Sequence, residues 1–304
     1  MEMKGMKFSL VAAAGLASVF LTLGTIFPVG QDTPVRELAL NMISFNIRYD
    51  NPDDGPNAWP NRKSLAASVF RDWQVDIAGL QEALIGQIRD LETALPEYAW
   101  TGVGRDDGLE KGEFSPIFYD KNKLVLADHG TFWLSETPEV AGSVHWDNAI
   151  TRIATFGTFT HKETGLSVFV INTHLDHVGE KSRQKSAELI LSRIKALSGG
   201  LPVILTGDLN SSTGSLAVTI LTSDKQLKLT DSRGLVEERH FGAEATFNGF
   251  GRADRPATID FILVSPNFRV SRHGHIQARR ADIYVSDHFP VFARVILRRQ
   301  IPPE

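Results

Sequence analysis

The chain has 304 residues, of which 42% are hydrophobic and 22% are charged, values that are ordinary for a globular protein. Its formal net charge of -4 gives no overall attraction for polyanions, so nonspecific electrostatic binding to nucleic acid or anionic lipid is not indicated. Because the sequence contains no cysteine, disulfides, thiol catalysis and thiolate-bound metals are excluded. Any metal must therefore bind through oxygen or imidazole.

The start of the chain has the pattern of an export or anchoring segment. Lys4 and Lys7 precede an uncharged, mainly apolar run from Phe8 to Val29. This run is long enough to span a bilayer, and no clear cleavage site follows it. We expect residues 1–35 to be a membrane anchor or, less favoured, a cleaved signal; a buried core helix is the remaining alternative. The expected location is periplasmic or extracellular, or tethered to the membrane by this segment.

Residues 36–304 are expected to form a single domain, because no linker, repeat or charge block interrupts them. Apolar runs predict strands, and stripes of apolar residues at helical spacing predict helices. Two packed β-sheets with helices outside would bury all of these faces. The predicted strands are ELALNMISFNI, VDIAGLQE, SPIFYD, TRIATFGTFTH, LSVFVINTHL, PVILTGDL, TIDFILVS and VFARVIL, and the predicted helices are PNRKSLAASVFRDW, IGQIRDLETAL and EKSRQKSAELILSRIKALSGG.

Polar side chains recur at the ends of the predicted apolar strands, where a rigid scaffold can gather them into one site. Each residue alone also fits a structural role, since Asp and Asn are common in turns and a single histidine after a strand is more often structural than catalytic. Their recurrence at one strand end after another favours a functional site. The residues concerned are Asn46, Glu82, His174, Asp208, Asn210, Asp260, Asp287 and His288.

These residue types permit a narrow range of chemistry. Carboxylate and amide oxygens suit a hard divalent cation such as Mg²⁺. A histidine oriented by a carboxylate can take a proton from water, and a second histidine or an asparagine can hydrogen-bond the charge that develops on phosphoryl oxygens. Together they indicate metal-assisted attack of water on a phosphate ester.

Six stretches, in chain order, resemble the endonuclease/exonuclease/phosphatase superfamily, which includes DNase I-like nucleases, sphingomyelinases and inositol-phosphate 5-phosphatases. The resemblance covers residues 38–297 and implies a four-layer α/β/β/α sandwich of two packed mixed β-sheets flanked by helices. Further stretches are similar to a largely uncharacterised bacterial branch of that superfamily. The six are FNIRYDN, GLQE, NTHLDH, TGDLN, TIDFILVS and SDHFPV, and the further stretches are RYDNPDDGPNAWPNR, GRDDGLEKGEFSPIFYD and FWLSETPEVAGSVHWD.

The resemblance also implies a role for each residue at the strand ends. For the metal it implies Mg²⁺, with Mn²⁺ as the alternative, and Glu82 as its main ligand, supported by Asn46 and with Asp287 nearby. For catalysis it implies that His288 is the general base and that Asp260 holds it in its tautomer. It also implies that Asp208 and Asn210 position the nucleophile and the scissile phosphate, and that His174 binds a phosphoryl oxygen.

The first motif departs from the nuclease pattern. Several nucleases of the superfamily carry an acidic residue two positions after Asn46, where this chain has Arg48. One possible metal ligand is thereby absent, and Arg48 becomes a candidate for gripping a phosphate. Arg152 and Arg183 are further candidates for substrate binding; a surface ion pair is the alternative for each of the three.

The sequence thus predicts a Mg²⁺-dependent phosphoesterase, with a phosphodiester favoured as the substrate. The alternatives are a sugar- or inositol-phosphate monoesterase, a catalytically silent binding protein on the same fold, and a glycoside hydrolase whose two carboxylates would work without metal. Nucleic acid remains an open substrate class, although the net negative charge of the chain does not favour it. Membrane contact is expected only through the N-terminal segment. No obligate protein partner is indicated.

Overall fold

In the computed structural model, the described residues are Met1 and 35–300. The predicted export or anchoring segment lies outside the described residues. Within the part of the chain that is described, no helix combines the length and the apolar character needed to cross a bilayer.

Four α-helices and fifteen β-strands make up the described fold. The helices α1 to α4 are Trp59–Asp72, Ile85–Ala94, Glu180–Leu197 and Leu216–Ser223. The strands β1 to β15 are Val35–Asn46, Ile77–Gln81, Tyr98–Thr101, Ile117–Asp120, Leu124–Trp133, Ile153–His161, Ser167–His174, Val203–Asp208, Thr230–Asp231, Phe241–Gly242, Asp260–Val264, Phe268–His275, Arg279–Arg280, Ile283–Tyr284 and Val291–Gln300.

The strands form two mixed sheets and one hairpin. The first sheet has the order β10-β12-β15-β1-β2-β4-β3, the second has the order β5-β6-β7-β8-β11-β9, and β13 pairs with β14. One apolar cluster lies between the sheets, a second lies between the first sheet and helices α1 and α2, and a third lies between the second sheet and helices α3 and α4. The predicted sandwich of two packed mixed sheets flanked by helices is therefore confirmed.

A buried polar contact joins the two sheets beside the strand ends. Gln81 donates a hydrogen bond of 2.7 Å to the Oδ1 atom of Asn172, which also accepts one of 3.0 Å from Thr206. Gly79 lies against this contact, and a Cβ atom there would overlap the Thr206 hydroxyl and the Asn172 amide. The absence of a side chain at Gly79 thus lets the sheets approach closely enough to bring their polar strand ends into one site.

Candidate active site

The register of the sheets explains why the polar residues meet. Strands β1 and β2 run parallel with Asn46 beside Gln81, so Glu82 follows at the same edge. Strands β7 and β8 also run parallel and place His174 beside Asp208. On the next, antiparallel strand, Asp260 is the register partner of Asp208. Because parallel strands end at a common edge, residues far apart in sequence become neighbours.

The SDHFPV stretch enters this edge through a hydrogen-bonded loop. The Ser286 hydroxyl donates a bond of 2.7 Å to the backbone carbonyl of Asn46, and it accepts one of 3.2 Å from the backbone N–H of His288. Val291, at the start of β15, then pairs with Ser44 of β1. The loop is thereby fixed to the end of β1, and the Asp and His side chains face the site.

A cavity of about 490 Å³ lies at this edge. Eight of the eleven predicted site residues line it, and two more, Asn46 and Asp260, hydrogen-bond to residues of the lining. The eight predicted residues are Arg48, Glu82, Arg152, His174, Asp208, Asn210, Asp287 and His288, and the remaining lining residues are Tyr49, Glu113, Ile150, His177, Phe247 and Ile259.

The predicted general base, His288, lies between two buried carboxylates. Its Nδ1 atom is 2.8 Å from the Oδ2 atom of Asp260, and its Nε2 atom is 3.8 Å from the Oδ2 atom of Asp208. Burial alone would lower the pKa of His288, but the carboxylates of Asp260 and Asp208 outweigh burial and raise it well above its ordinary value. Burial and the nearby Asp260 carboxylate raise the pKa of Asp208 to about 7. The two carboxylates therefore favour the protonated imidazole of His288.

The predicted main metal ligand, Glu82, is fixed through both of its oxygens. Oε1 accepts a hydrogen bond of 3.0 Å from the Asn46 side-chain amide, and Oε2 accepts one of 3.2 Å from the backbone N–H of Tyr49. The same Asn46 amide nitrogen donates a bond of 2.9 Å to Asp208. As oriented, Asn46 holds two carboxylates in place with its nitrogen, an arrangement that fits its predicted supporting role.

Arg48 stands among these acidic groups. Its guanidinium forms two hydrogen bonds of 3.1 Å with the Asp54 carboxylate. It also lies 3.8 Å from the Oδ2 atom of Asp287 and 4.0 Å from the Oε2 atom of Glu82. The positive charge that replaces the nuclease-type acidic residue therefore faces the predicted metal ligands directly.

On the opposite sheet, His174 and Asn210 form a pair. The amide nitrogen of Asn210 lies 3.0 Å from the His174 Nε2 atom, which is itself 3.6 Å from Asp208. Burial and the nearby positive charge of Arg152 lower the pKa of His174 well below its ordinary value. His174 is therefore a neutral hydrogen-bonding group, in contrast to the imidazole of His288.

The backbone is left-handed at three residues of the cavity. Arg48, Glu82 and Asn210 have φ angles of 56°, 59° and 46°, although none of them is glycine. Each follows the end of a strand, where the turn directs the side chain into the cavity. Left-handed backbone at bulky residues is unfavourable and tends to occur at functional sites.

One predicted substrate-binding residue lies outside the cavity. Arg183 is on helix α3 and donates a hydrogen bond of 3.0 Å to the backbone carbonyl of Asp176. The prediction that it contacts substrate therefore needs correction: Arg183 supports the loop after β7. Helical periodicity had placed it on the helix without showing which group its side chain would meet.

Four residues beside the cavity were not among the predicted site residues, namely Arg105, Glu113, Asp176 and His177. Arg105 donates a hydrogen bond of 2.6 Å to Glu113, and Arg152 lies 3.1 Å from the Nδ1 atom of His177. Asp176 is completely buried, and its two oxygens accept four backbone N–H bonds from residues 149, 150, 178 and 179. The GRDDGLEKGEFSPIFYD and NTHLDH stretches carry all four of these residues and were the available signal.

Arg62 was also missed. This fully buried arginine donates hydrogen bonds to the backbone carbonyls of Arg48 at 2.7 Å and Val285 at 3.2 Å, and it also bonds the carbonyl of Ile47. Burial lowers the pKa of Arg62 to about 10. The side chain thus ties the loop after β1 to the loop that carries Asp287 and His288.

The donor set beside Arg48 fits a hard divalent cation. Glu82 and Asp287 both line the cavity and offer only oxygen atoms. Burial, with a further contribution from the Glu82 carboxylate, raises the pKa of Asp287, so the two groups repel each other where they stand. A bound cation would relieve that repulsion, and oxygen ligands are those that Mg²⁺ prefers.

A second set of ligand atoms, from Asp208, Asp260 and His288, lies within 4.8 Å of one another. In this set the Nδ1 atom of His288 is already hydrogen-bonded to Asp260. That contact is typical of an oriented general base. The Glu82 and Asp287 oxygens are therefore the better candidates for holding a metal.

The sequence matches the model of the Endonuclease/Exonuclease/phosphatase family over residues 43–288. The chain belongs to the endonuclease/exonuclease/phosphatase family. This family and the solved relatives include phosphoesterase hydrolases, so the coarse prediction of a phosphoesterase is supported.

Two solved structures of this family resemble the chain closely. An endonuclease/exonuclease/phosphatase from Bacteroides vulgatus is 40% identical with a TM-score of 0.82, over 86% of this chain and 99% of that one. A mannosyl-6-phosphatase of Bacteroides thetaiotaomicron is 38% identical with a TM-score of 0.79, over 84% of this chain and 99% of that one.

A viral protein is a more distant relative. The chain is 26% identical over 309 aligned residues to the uncharacterized protein R895 of Acanthamoeba polyphaga mimivirus. The match covers 89% of this chain but spans only 44% of that protein.

Proposed function

We propose that this member of the endonuclease/exonuclease/phosphatase family is a metal-dependent hydrolase that cleaves a phosphate ester of a small polar molecule with water activated by His288. The observation that carries the proposal is that the His288–Asp260 pair and Glu82 serve one cavity, with His288 and Glu82 in its lining. A base and a candidate metal ligand are thus close enough to act on the same phosphate.

The neutral residues would bind and orient the phosphoryl group. His174 and Asn210 offer hydrogen bonds to its oxygens, and Asp208 would accept a hydrogen bond from the attacking water. His288 would take the proton of that water, while Asp260 holds the imidazole and stabilises the imidazolium that forms. Since nearby carboxylates favour the imidazolium, His288 must release its proton before each turnover.

Glu82 and Asp287 would hold the cation, with Asn46 fixing the Glu82 carboxylate. When bound, the cation supplies positive charge that neutralises the phosphoryl oxygens and favours the neutral form of a nearby imidazole. Arg48 lies on the same side and would add a second positive group without needing a second metal.

Two observations support a small substrate. The relative from Bacteroides thetaiotaomicron, 38% identical, is a mannosyl-6-phosphatase. The cavity of about 490 Å³ is lined beyond the acidic groups by Tyr49 and Phe247, whose rings can pack on a sugar, and by Glu113 and His177, which can hydrogen-bond hydroxyl groups. A phosphorylated sugar therefore fits the site, and the apolar run Phe8 to Val29 supports an exported or membrane-tethered enzyme as a further proposal.

The test incubates the full chain, with Mg²⁺ or with EDTA, and measures phosphate release from mannose 6-phosphate and from an inositol phosphate, and cleavage of a dinucleotide to a nucleotide and a nucleoside. We expect Mg²⁺-dependent release that is lost in Glu82→Gln and retained in Glu92→Gln, an exposed control on α2. Release that is unchanged by EDTA and by Glu82→Gln would contradict the metal-dependent mechanism. Absence of release from every ester would favour a silent binding protein.

A further inference from the structure

A small recess adjoins the main cavity behind His174. Its volume is about 10 Å³, and it shares Glu113, Arg152 and His174 with the lining of the main cavity. Arg105 and Ser115 complete its polar lining. A space of this size holds about one oxygen atom or one water molecule, and no larger group.

Three of the residues that line the recess carry buried polar atoms without partners. The Nε and Nη1 atoms of Arg152, the Nε atom of Arg105 and the Nδ1 atom of His174 are buried and form no hydrogen bond within the described residues. Arg152 is only 3% exposed. Leaving a buried charged donor unpaired is costly, so several of them around one oxygen-sized space point to an oxygen ligand.

The neighbouring carboxylates do not satisfy Arg152. Asp176 Oδ2 lies 3.7 Å from the Arg152 Nε atom, beyond hydrogen-bonding distance, and that oxygen already accepts N–H groups from Ala149 and Ile150. The carboxylate of Glu113 is bonded to Arg105. Asp176 therefore keeps Arg152 in position by its charge while leaving two guanidinium nitrogens available.

We propose that the recess receives one terminal oxygen of the phosphoryl group bound at His174, and that Arg152, backed by Arg105, makes the site selective for phosphomonoesters over phosphodiesters. This inference rests on the proposed function and names its substrate class. It changes the expectation from sequence, which favoured a diester.

Size and charge both support the selectivity. A monoester has three terminal oxygens, so one can enter the recess while the other two meet His174 and the metal side. A diester has only two terminal oxygens, so filling the recess leaves one of those two contacts to a bulkier ester oxygen. A monoester also carries nearly two negative charges at neutral pH, whereas a diester carries one. The planar guanidinium of Arg152 matches such an oxygen-rich dianion.

The experiment compares two substrates with the same leaving group, 4-nitrophenyl phosphate and methyl 4-nitrophenyl phosphate, in the presence of Mg²⁺. Wild-type protein should have the higher kcat/KM on the monoester. In Arg152→Met the ratio of monoester to diester kcat/KM should fall at least ~10-fold, as expected for losing charge-assisted hydrogen bonds. Arg71→Met, an exposed arginine on α1, should leave the ratio unchanged.

Two results would overturn the inference: a wild-type preference for the diester, or an unchanged ratio in a folded Arg152→Met protein, whether or not activity on both substrates falls. Circular dichroism establishes folding, and Arg152→Lys, which keeps charge and bulk, replaces the Met variant if the latter does not fold. The Lys variant should lower the ratio in the same direction, because an ammonium group cannot reproduce the guanidinium geometry.

A binding measurement separates this inference from the proposed function. Calorimetry with inorganic phosphate and with dimethyl phosphate requires no turnover. We expect inorganic phosphate to bind wild-type protein at least ~10-fold more tightly than it binds Arg152→Met, and dimethyl phosphate not to show this difference. Equal phosphate affinity in the two proteins would refute the recess as an anion site even if hydrolysis is observed.

Discussion

The Nδ1 atom of His288 lies 2.8 Å from the Oδ2 atom of Asp260, and both side chains are buried at the junction of the two sheets. The pair resembles other base and carboxylate pairs in which the carboxylate fixes the tautomer of the imidazole. We predict that Asp260→Asn lowers kcat by ~10²-fold or more with a smaller change in KM, because the amide cannot stabilise the imidazolium.

The matched control is Asp282→Asn, since Asp282 is exposed in the turn between β13 and β14. Steady-state kinetics on a phosphate ester and the thermal midpoint would be measured for both variants. A folded Asp260→Asn enzyme with wild-type kcat would show that the carboxylate does not support the base.

Glu82 should control metal affinity. Its two oxygens are held by Asn46 and by the backbone of Tyr49, so replacement with Gln would remove charge while keeping the shape. We predict that Glu82→Gln weakens Mg²⁺ or Mn²⁺ binding at least ~10-fold in calorimetry. The prediction fails if the variant and the wild type bind the cation with equal affinity.

Gly79 should be intolerant of a side chain. A Cβ atom there would overlap Thr206 and Asn172, the two residues of the second sheet that take part in the buried polar contact with Gln81 of the first. We predict that Gly79→Ala lowers the free energy of unfolding by ~1–3 kcal/mol in urea denaturation. Gly86 on α2 has nothing within 4 Å of its Cβ position, so Gly86→Ala should be neutral or stabilising by up to ~1 kcal/mol. Similar effects at the two sites would argue against the overlap.

Three histidines pack together away from the cavity, and they should make the fold sensitive to acid. Burial and the nearby His275 and His240 lower the pKa of His273 to about 3, and Arg233 adds to the positive surroundings. The His240 Nδ1 atom lies 2.9 Å from that of His273. As pH falls from the ordinary value of 6.5 toward 3, the unfolded chain takes up a proton that native His273 does not, so stability falls.

We predict that His273→Asn, which keeps a polar atom toward His240, reduces the loss of unfolding free energy between pH 7.5 and pH 5.0 by ~2 kcal/mol. Urea denaturation at the two pH values measures the effect. His129→Asn, at an exposed residue of β5, should not change it. An equal acid loss in wild type and His273→Asn would contradict the assignment.

Much of the fold followed from sequence because its central strands are continuous apolar runs. The stretch IAGLQ was predicted as a strand, and the corresponding strand β2 is buried along its whole length. Helix α4 was not predicted, since LAVTILTS is short and rich in β-branched residues. Strand β12, FRVSRHGH, was also not predicted. Its histidines are buried in the folded sheet, and a stretch with this many polar residues does not indicate that burial.

The site was predictable where one strand end supplied one side chain. Arg105 and Glu113, which line the recess beside Arg152, were not predicted, because they lie on loops whose meeting depends on the packing of both sheets. Arg183 shows the opposite difficulty: its position on a helix was clear, but its contact with the Asp176 carbonyl was not.

The central claim is that His288 activates the water that attacks phosphorus. The most direct measurement is hydrolysis of 4-nitrophenyl phosphate in ¹⁸O-enriched water by wild-type protein and by folded His288→Ala, with Mg²⁺ present. We predict that the wild type releases phosphate carrying the solvent oxygen and that His288→Ala does so at least ~10²-fold more slowly. Near-normal turnover by His288→Ala, or release of unlabelled phosphate by the wild type, would contradict the mechanism.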